Sequence, residues 1–150
     1  MPSTKYNLRL MKFNLVDQVI EQGEGRIVTI KELSKEEWFL RDHFPSFPIM
    51  PGVLMLESMV QAASALLYQG GGQEESGQDG GRLVLGEVKA VKYGAMVKPG
   101  DTLRVEVDVI KILEDGSFKC KGKGIVTGKD HKEEQTAVAG RFTMRTARLT

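Results

Sequence analysis

The chain has 150 residues, the size of one ordinary domain with a single hydrophobic core. Hydrophobic residues at 41% and charged residues at 27% lie in the globular range and exclude a chain that stays disordered. Twenty-one Lys and Arg against 20 Asp and Glu leave a net charge of +1, too balanced for the electrostatic footprint of a nucleic-acid binder.

In chain order, Phe13 to Ile20 and Arg26 to Leu33 read as extended. Gly52 to Tyr68 is the one long helix, apolar on nearly every side, so most of its circumference must be covered. Gly70 to Gly81 holds six glycines with Glu74, Glu75 and Asp79 and has nothing apolar to bury, the composition of a mobile loop. No Lys and Ser or Thr follow it at helix-start spacing, as a phosphate-cradling loop requires. Arg82 to Val97 is extended again, and Lys98-Pro99-Gly100-Asp101 is a turn.

After that turn, Leu103, Val105, Val107 and Val109 alternate with Arg104, Glu106 and Asp108, the period of a strand with one buried face. Asp115-Gly116 predicts a tight hairpin with positive φ at both central residues, joining this strand to Ser117–Thr127. Gly128 to Glu134 reads as a polar loop in which His131 is solvated, and Val138, Phe142 and Met144 mark a last strand. About six antiparallel strands curled around one central helix satisfy this pattern, an α+β fold in a single domain spanning 1–150.

The only cysteine, Cys120, cannot form an intramolecular disulfide, and Met1 to Leu10 has no apolar signal core, so a cytoplasmic protein is expected. Val53 to Tyr68 is shorter than the ~20 residues of a membrane span and carries Glu57 and Gln61, so no membrane association is expected. Cys120 sits mid-strand on the face of Phe118 and reads as a small buried residue, with Lys119, Lys121 and Lys123 on the opposite face.

Residues 43–61, HFPSFPIMPGVLMLESMVQ, contain three of the five prolines. Their spacing favours an extended backbone that fixes His43 relative to the helix, and Pro51 suits the first helical turn. No Ser, Thr, Asp or Asn caps that helix, so the N–H groups of Gly52 and Val53 are open either to water or to a substrate carbonyl, which they would polarise. Glu57, Gln61 and Ser64 fall at i, i+4 and i+7 and form a polar stripe. Glu57 there is either paired or solvated at a polar edge, or protonated as a general acid. His43 alone fits a structural loop histidine as well as a catalyst. Asp42, His43 and Glu57 lack the further His or Cys of a metal site, so no metal is expected.

The run His-Phe-Pro-x-x-Pro-Ile-Met-Pro-Gly-Val-Leu-x-x-Glu-x-Met-x-Gln resembles the signature of the FabZ-type (3R)-hydroxyacyl-[acyl carrier protein] dehydratases. Weaker similarity extends from Asn14-Leu15-Val16-Asp17-Gln18-Val19 to Lys98-Pro99-Gly100-Asp101-Thr102-Leu103, covering roughly residues 13 to 145. The resemblance implies a hotdog fold and a homodimer with its sites at the subunit interface, often assembled into a trimer of dimers. It implies that His43 removes the α-proton of the thioester while Glu57 of the neighbouring subunit protonates the departing β-hydroxyl. Gly52 and Val53 would hold the carbonyl and Gln61 would orient Glu57. Met50, Met55, Met59 and Tyr93 would wall the acyl tunnel, the substrate would arrive on acyl carrier protein, and no cofactor is implied.

Asp42 stands where the family commonly has glycine, and Leu10-Met11-Lys12-Phe13 replaces a His-Arg-Tyr-Pro-type lead-in. Glu57 stands where related dehydratase-isomerases usually carry aspartate, which favours dehydration without double-bond migration. Two other readings remain: a thioesterase on the same fold, and a non-catalytic subunit binding acyl chains or carrier protein in which Asp42 has spoiled the base.

Overall fold

The computed structural model describes residues 14–40, 46–68 and 82–147. His43, Asp42, the glycine-rich segment 70–81 and the lead-in at 10–13 lie outside the described residues.

Six strands form one antiparallel sheet: β1 (Gln18–Gly23), β2 (Arg26–Glu32), β3 (Arg82–Tyr93), β4 (Thr102–Ile112), β5 (Phe118–Gly128) and β6 (His131–Ala147). Their spatial order is β1-β2-β4-β5-β6-β3. The one α-helix among the described residues, α1 (Gly52–Leu67), packs against β2 through β6. This is the expected sheet curled around one helix.

Period-two alternation selects the face that meets the helix. Leu103, Val105 and Val107 of β4, Cys120 and Val126 of β5, and Val138, Phe142 and Met144 of β6 are buried with Met55, Met59, Ala62, Ala63 and Leu66 of α1. Burying a side chain of Met, Leu or Phe size contributes about 1.5–3 kcal/mol, so this interface holds the helix in place. At Gly122 a methyl group would stand 2.9 Å from Met59 Sδ and 3.3 Å from Phe142 Cε1, so a larger residue there would have to displace the methionine tip. Val53 at the helix start is the one exposed residue of α1, 70% accessible.

The Lys98–Asp101 turn forms as expected. Asp101 N–H donates to Lys98 O at 2.9 Å, and Asp101 Oδ2 accepts from Lys98 N–H at 2.9 Å. The Asp115-Gly116 hairpin differs from its prediction. The strands close through Leu113 N–H to Ser117 O at 2.8 Å, and only Gly116 has positive φ, at 89°. Asp115 instead spends its carboxylate on the Ser117 N–H at 2.9 Å, which holds its pKa below the usual value. A three-residue loop ending in a left-handed glycine follows the strand twist as well as a two-residue turn does.

His131 also departs from its expectation. The polar loop contracts to Lys129 and Asp130, because β5 runs to Gly128 and β6 starts at His131. The imidazole is 9% exposed, with Nε2 3.2 Å from Asp101 Oδ2 and Nδ1 2.8 Å from Gln135 Oε1. Cys120 is fully buried as expected, and desolvation pushes its thiol up to about 12.

Candidate active site

The segment leading into α1 is tied to the connection between β3 and β4 by Met50 N–H donating to Val97 O at 2.8 Å. Pro51 is the N-cap residue rather than the first helical one; at φ −61° and ψ 139° it is extended, and no side chain caps the helix. Its carbonyl accepts from Leu54 N–H at 3.0 Å and Met55 N–H at 3.3 Å. Among the described residues nothing accepts from the Gly52 and Val53 N–H groups. Two donors therefore stand at the positive end of the helix dipole, beside the exposed Val53.

Tyr93, at the end of β3, lays its ring against this helix start. A methyl group on Gly52 would lie 2.9 Å from Tyr93 Cε1 and 3.0 Å from Cζ. Glycine here is a condition of the ring's position. Met50, Met55 and Met59 are packed in the core of the chain, whereas Tyr93 is 50% exposed. Two open clefts of about 480 and 490 Å³ lie elsewhere. The first is lined by Lys92, Lys121, Lys123 and Arg141 of the sheet, the second by Leu40, Phe47, Pro48 and Pro99.

One turn into the helix, about 6 Å along its axis from Val53, the Glu57 side chain is half-buried. Gln61 Nε2 donates to Glu57 Oε2 at 3.1 Å, and Gln61 Oε1 accepts from Leu15 N–H at 2.8 Å. Gln61 is 3% exposed, so this part of the polar stripe lies beneath the chain before β1 rather than in solvent. Ser58 completes the contact: its hydroxyl donates to Leu15 O at 3.0 Å and is fully buried.

Sequence reasoning named Glu57, Gln61 and Ser64 as the polar positions. The structure joins Glu57 to Gln61 and adds Ser58, a buried polar residue in an otherwise apolar helix. Its cost without a partner was the available signal. The helix start thus carries two open peptide donors and, one turn on, a carboxylate with one oxygen tethered. Such a set can polarise a carbonyl and exchange a proton with a group bound beside it.

The FabA-like domain family model matches residues 8–134. A 3-hydroxyacyl-[acyl-carrier-protein] dehydratase FabZ from Koribacter versatilis is 40% identical over 116 residues, covering 77% of this chain and 71% of that protein. The chain belongs to the FabZ-type dehydratase family. The run at residues 43–61, with its histidine, Pro-Gly-Val-Leu and glutamate, lies within the matched span.

Among solved structures, the dehydratase heterocomplex ApeI:P from Xenorhabdus doucetiae is 18% identical with a TM-score of 0.59, covering 86% of this chain and 95% of that one. An acyl-CoA hydrolase variant from Staphylococcus aureus in complex with coenzyme A is 13% identical with a TM-score of 0.60, covering 83% of this chain and 66% of that one. These likenesses establish the hotdog fold of this FabZ-type chain. Since a dehydratase and a hydrolase share it, the choice of reaction rests on residues rather than on architecture.

Proposed function

We propose that the protein is a lyase that dehydrates (3R)-3-hydroxyacyl thioesters on acyl carrier protein to trans-2-enoyl thioesters in fatty acid biosynthesis. The observation that carries this reading is Glu57, half-buried one turn from two open peptide donors and held through one oxygen by Gln61, inside the family's signature.

His43 takes the α-proton. The electron pair left on Cα forms the Cα–Cβ double bond as the Cβ–O bond breaks, and the departing hydroxyl takes a proton from Glu57 and leaves as water. Return of the proton from His43 to Glu57, through solvent, resets the site. While charge develops on the thioester oxygen, Gly52 and Val53 N–H donate to it, an interaction stronger in the transition state than in the ground state.

His43 of one subunit works with Glu57 of the other in a homodimer, with two shared sites and further assembly into a trimer of dimers. Exposed Leu85, Val88 and Tyr93 on the edge strand β3, together with Val53, supply an apolar surface for that pairing. No described helix is long and apolar enough to cross a membrane, which accords with a cytoplasmic enzyme.

The test supplies (3R)-3-hydroxyacyl thioester on acyl carrier protein and reads product mass and free thiol together. Loss of one water with the thioester intact supports the dehydratase. Release of free thiol would assign the thioesterase reaction instead, and binding without either change would assign the binding subunit with Asp42 as the spoiling residue.

A further inference from the structure

Amide oxygen and nitrogen are interchangeable by shape, but not at Gln61. The Leu15 N–H can only donate, so the Gln61 atom 2.8 Å from it must be the carbonyl oxygen. The amide nitrogen then faces Glu57, where it can only donate, and it does so to Oε2 at 3.1 Å. The next peptide unit is held in turn by Ser58, whose hydroxyl donates to the Leu15 carbonyl at 3.0 Å, so the two bonds fix Leu15 on both sides of its Cα. Asn14 Oδ1 accepts from Val16 N–H at 2.9 Å and stiffens the same stretch. Ser58 and Gln61 lie three residues apart on one helix face and grip both polar groups of one residue, 43 and 46 positions away respectively.

A carboxyl oxygen that already accepts from an amide is the poorer place for the acid's proton. The proton therefore belongs on the other oxygen, Oε1, which has no hydrogen-bond partner among the described residues. We propose that Ser58, through the backbone of Leu15, is a positioning residue that locks the Gln61 amide so that Glu57 carries its transferable proton on Oε1. The inference rests on the acid role of Glu57 proposed above. It adds that the reacting oxygen is selected by a hydroxyl that touches neither substrate nor Glu57. Without Ser58 the Leu15 carbonyl loses its donor and only Asn14 steadies the stretch, so the Leu15 N–H can shift, the amide can follow it, and the proton divides between the two oxygens.

The test compares wild type, Ser58→Ala, Gln61→Glu and Glu57→Gln as full-length protein, reading kcat, KM and the pH profile of kcat on an enoyl thioester. Ser58→Ala is expected to lower kcat about tenfold or more with KM nearly unchanged, the size of effect that loosened positioning gives. Gln61→Glu keeps an acceptor for Leu15 but sets a second carboxyl against Glu57, so the pair shares a proton and the kcat profile moves to higher pH. A merely structural serine would lower the melting temperature and leave the profile in place. Folded Ser58→Ala with wild-type kcat and pH profile, beside an inactive Glu57→Gln, would overturn the lock alone. An active Glu57→Gln would overturn the acid role and the lock with it. Should Ser58→Ala fail to fold, nitrogen-15 NMR of the wild type decides. The Gln61 side-chain NH₂ must shift with pH as Glu57 ionises, and an NH₂ signal indifferent to pH overturns the proposal.

Discussion

Gly52→Ala separates the stability of the helix start from its chemistry. The new methyl would stand 2.9, 3.0 and 3.2 Å from Tyr93 Cε1, Cζ and Cδ1, against an ordinary carbon–carbon contact of about 3.5–4.0 Å. The ring must therefore retreat by about 0.5–1 Å. Half of Tyr93 is exposed, so it tilts outward against solvent rather than against the core. Alanine is favoured over glycine by up to about 1 kcal/mol within a helix, which offsets the displaced ring. The melting temperature is expected to stay within about 3 °C of wild type. Activity is a different matter, because the methyl crowds the approach to the Gly52 N–H. Loss of one such donor costs about 10²- to 10³-fold in kcat, and partial obstruction is expected to cost 10-fold or more within that limit. Hydration of a trans-2-enoyl thioester, followed by the fall in enoyl absorbance beside a thermal melt, reads both quantities. A Gly52→Ala protein as stable and as active as wild type would refute the approach of the carbonyl to this helix start.

Three further outcomes are expected. His43→Ala and Glu57→Gln each lower turnover by about 10²- to 10⁴-fold, the usual worth of one acid or base, with circular dichroism and oligomer size unchanged; near-wild-type rates in either would remove the role of that residue. Gly128→Ala drives a methyl into the Asp101 carboxylate, which holds the Lys98 N–H and faces His131, and should lower the melting temperature by about 3–10 °C; an unchanged melt contradicts the crowding. Cys120 should resist alkylation at pH 8 in the native protein and react once in denaturant. Its folded pKa is raised, so its contribution is complete below the unfolded value near 9 and is lost as pH rises toward about 12. A Cys120→Ala protein should show a shallower loss across that window in chemical denaturation, and an identical slope would count against the burial argument.

What the chain discloses before folding is whatever repeats locally. The alternation from Leu103 to Val109 placed β4, and the apolar run placed α1 to within one residue of its observed end at Leu67. Turn chemistry at Lys98–Asp101 was equally local, since Pro99, Gly100 and the Asp101 carboxylate act within four residues. The position of β3 beside β6 has no such signal, because strand order depends on the whole sheet. The link from Leu15 to Gln61 spans 46 residues, so the stripe could be read either as paired or as a solvated edge, and the burial of Gln61 under Leu15 was not legible locally. His131 was misjudged for the same reason. Its polar neighbours in sequence suggested water, but Asp101, 30 residues away, takes its ring. The chemistry of the helix start was legible because an uncapped N-terminus and a carboxylate one turn later are properties of one short segment.

The most direct test of the shared acid–base site mixes the two disabled proteins. His43→Ala and Glu57→Gln are co-expressed with different tags, the mixed dimers are isolated, and hydration of a trans-2-enoyl thioester on acyl carrier protein is measured. In a mixed dimer one site pairs both lesions and the other pairs both intact residues. Turnover of about half the wild-type value per dimer is expected, although each parent is inactive. Mixed dimers as inactive as their parents would contradict a site built from His43 of one subunit and Glu57 of its neighbour.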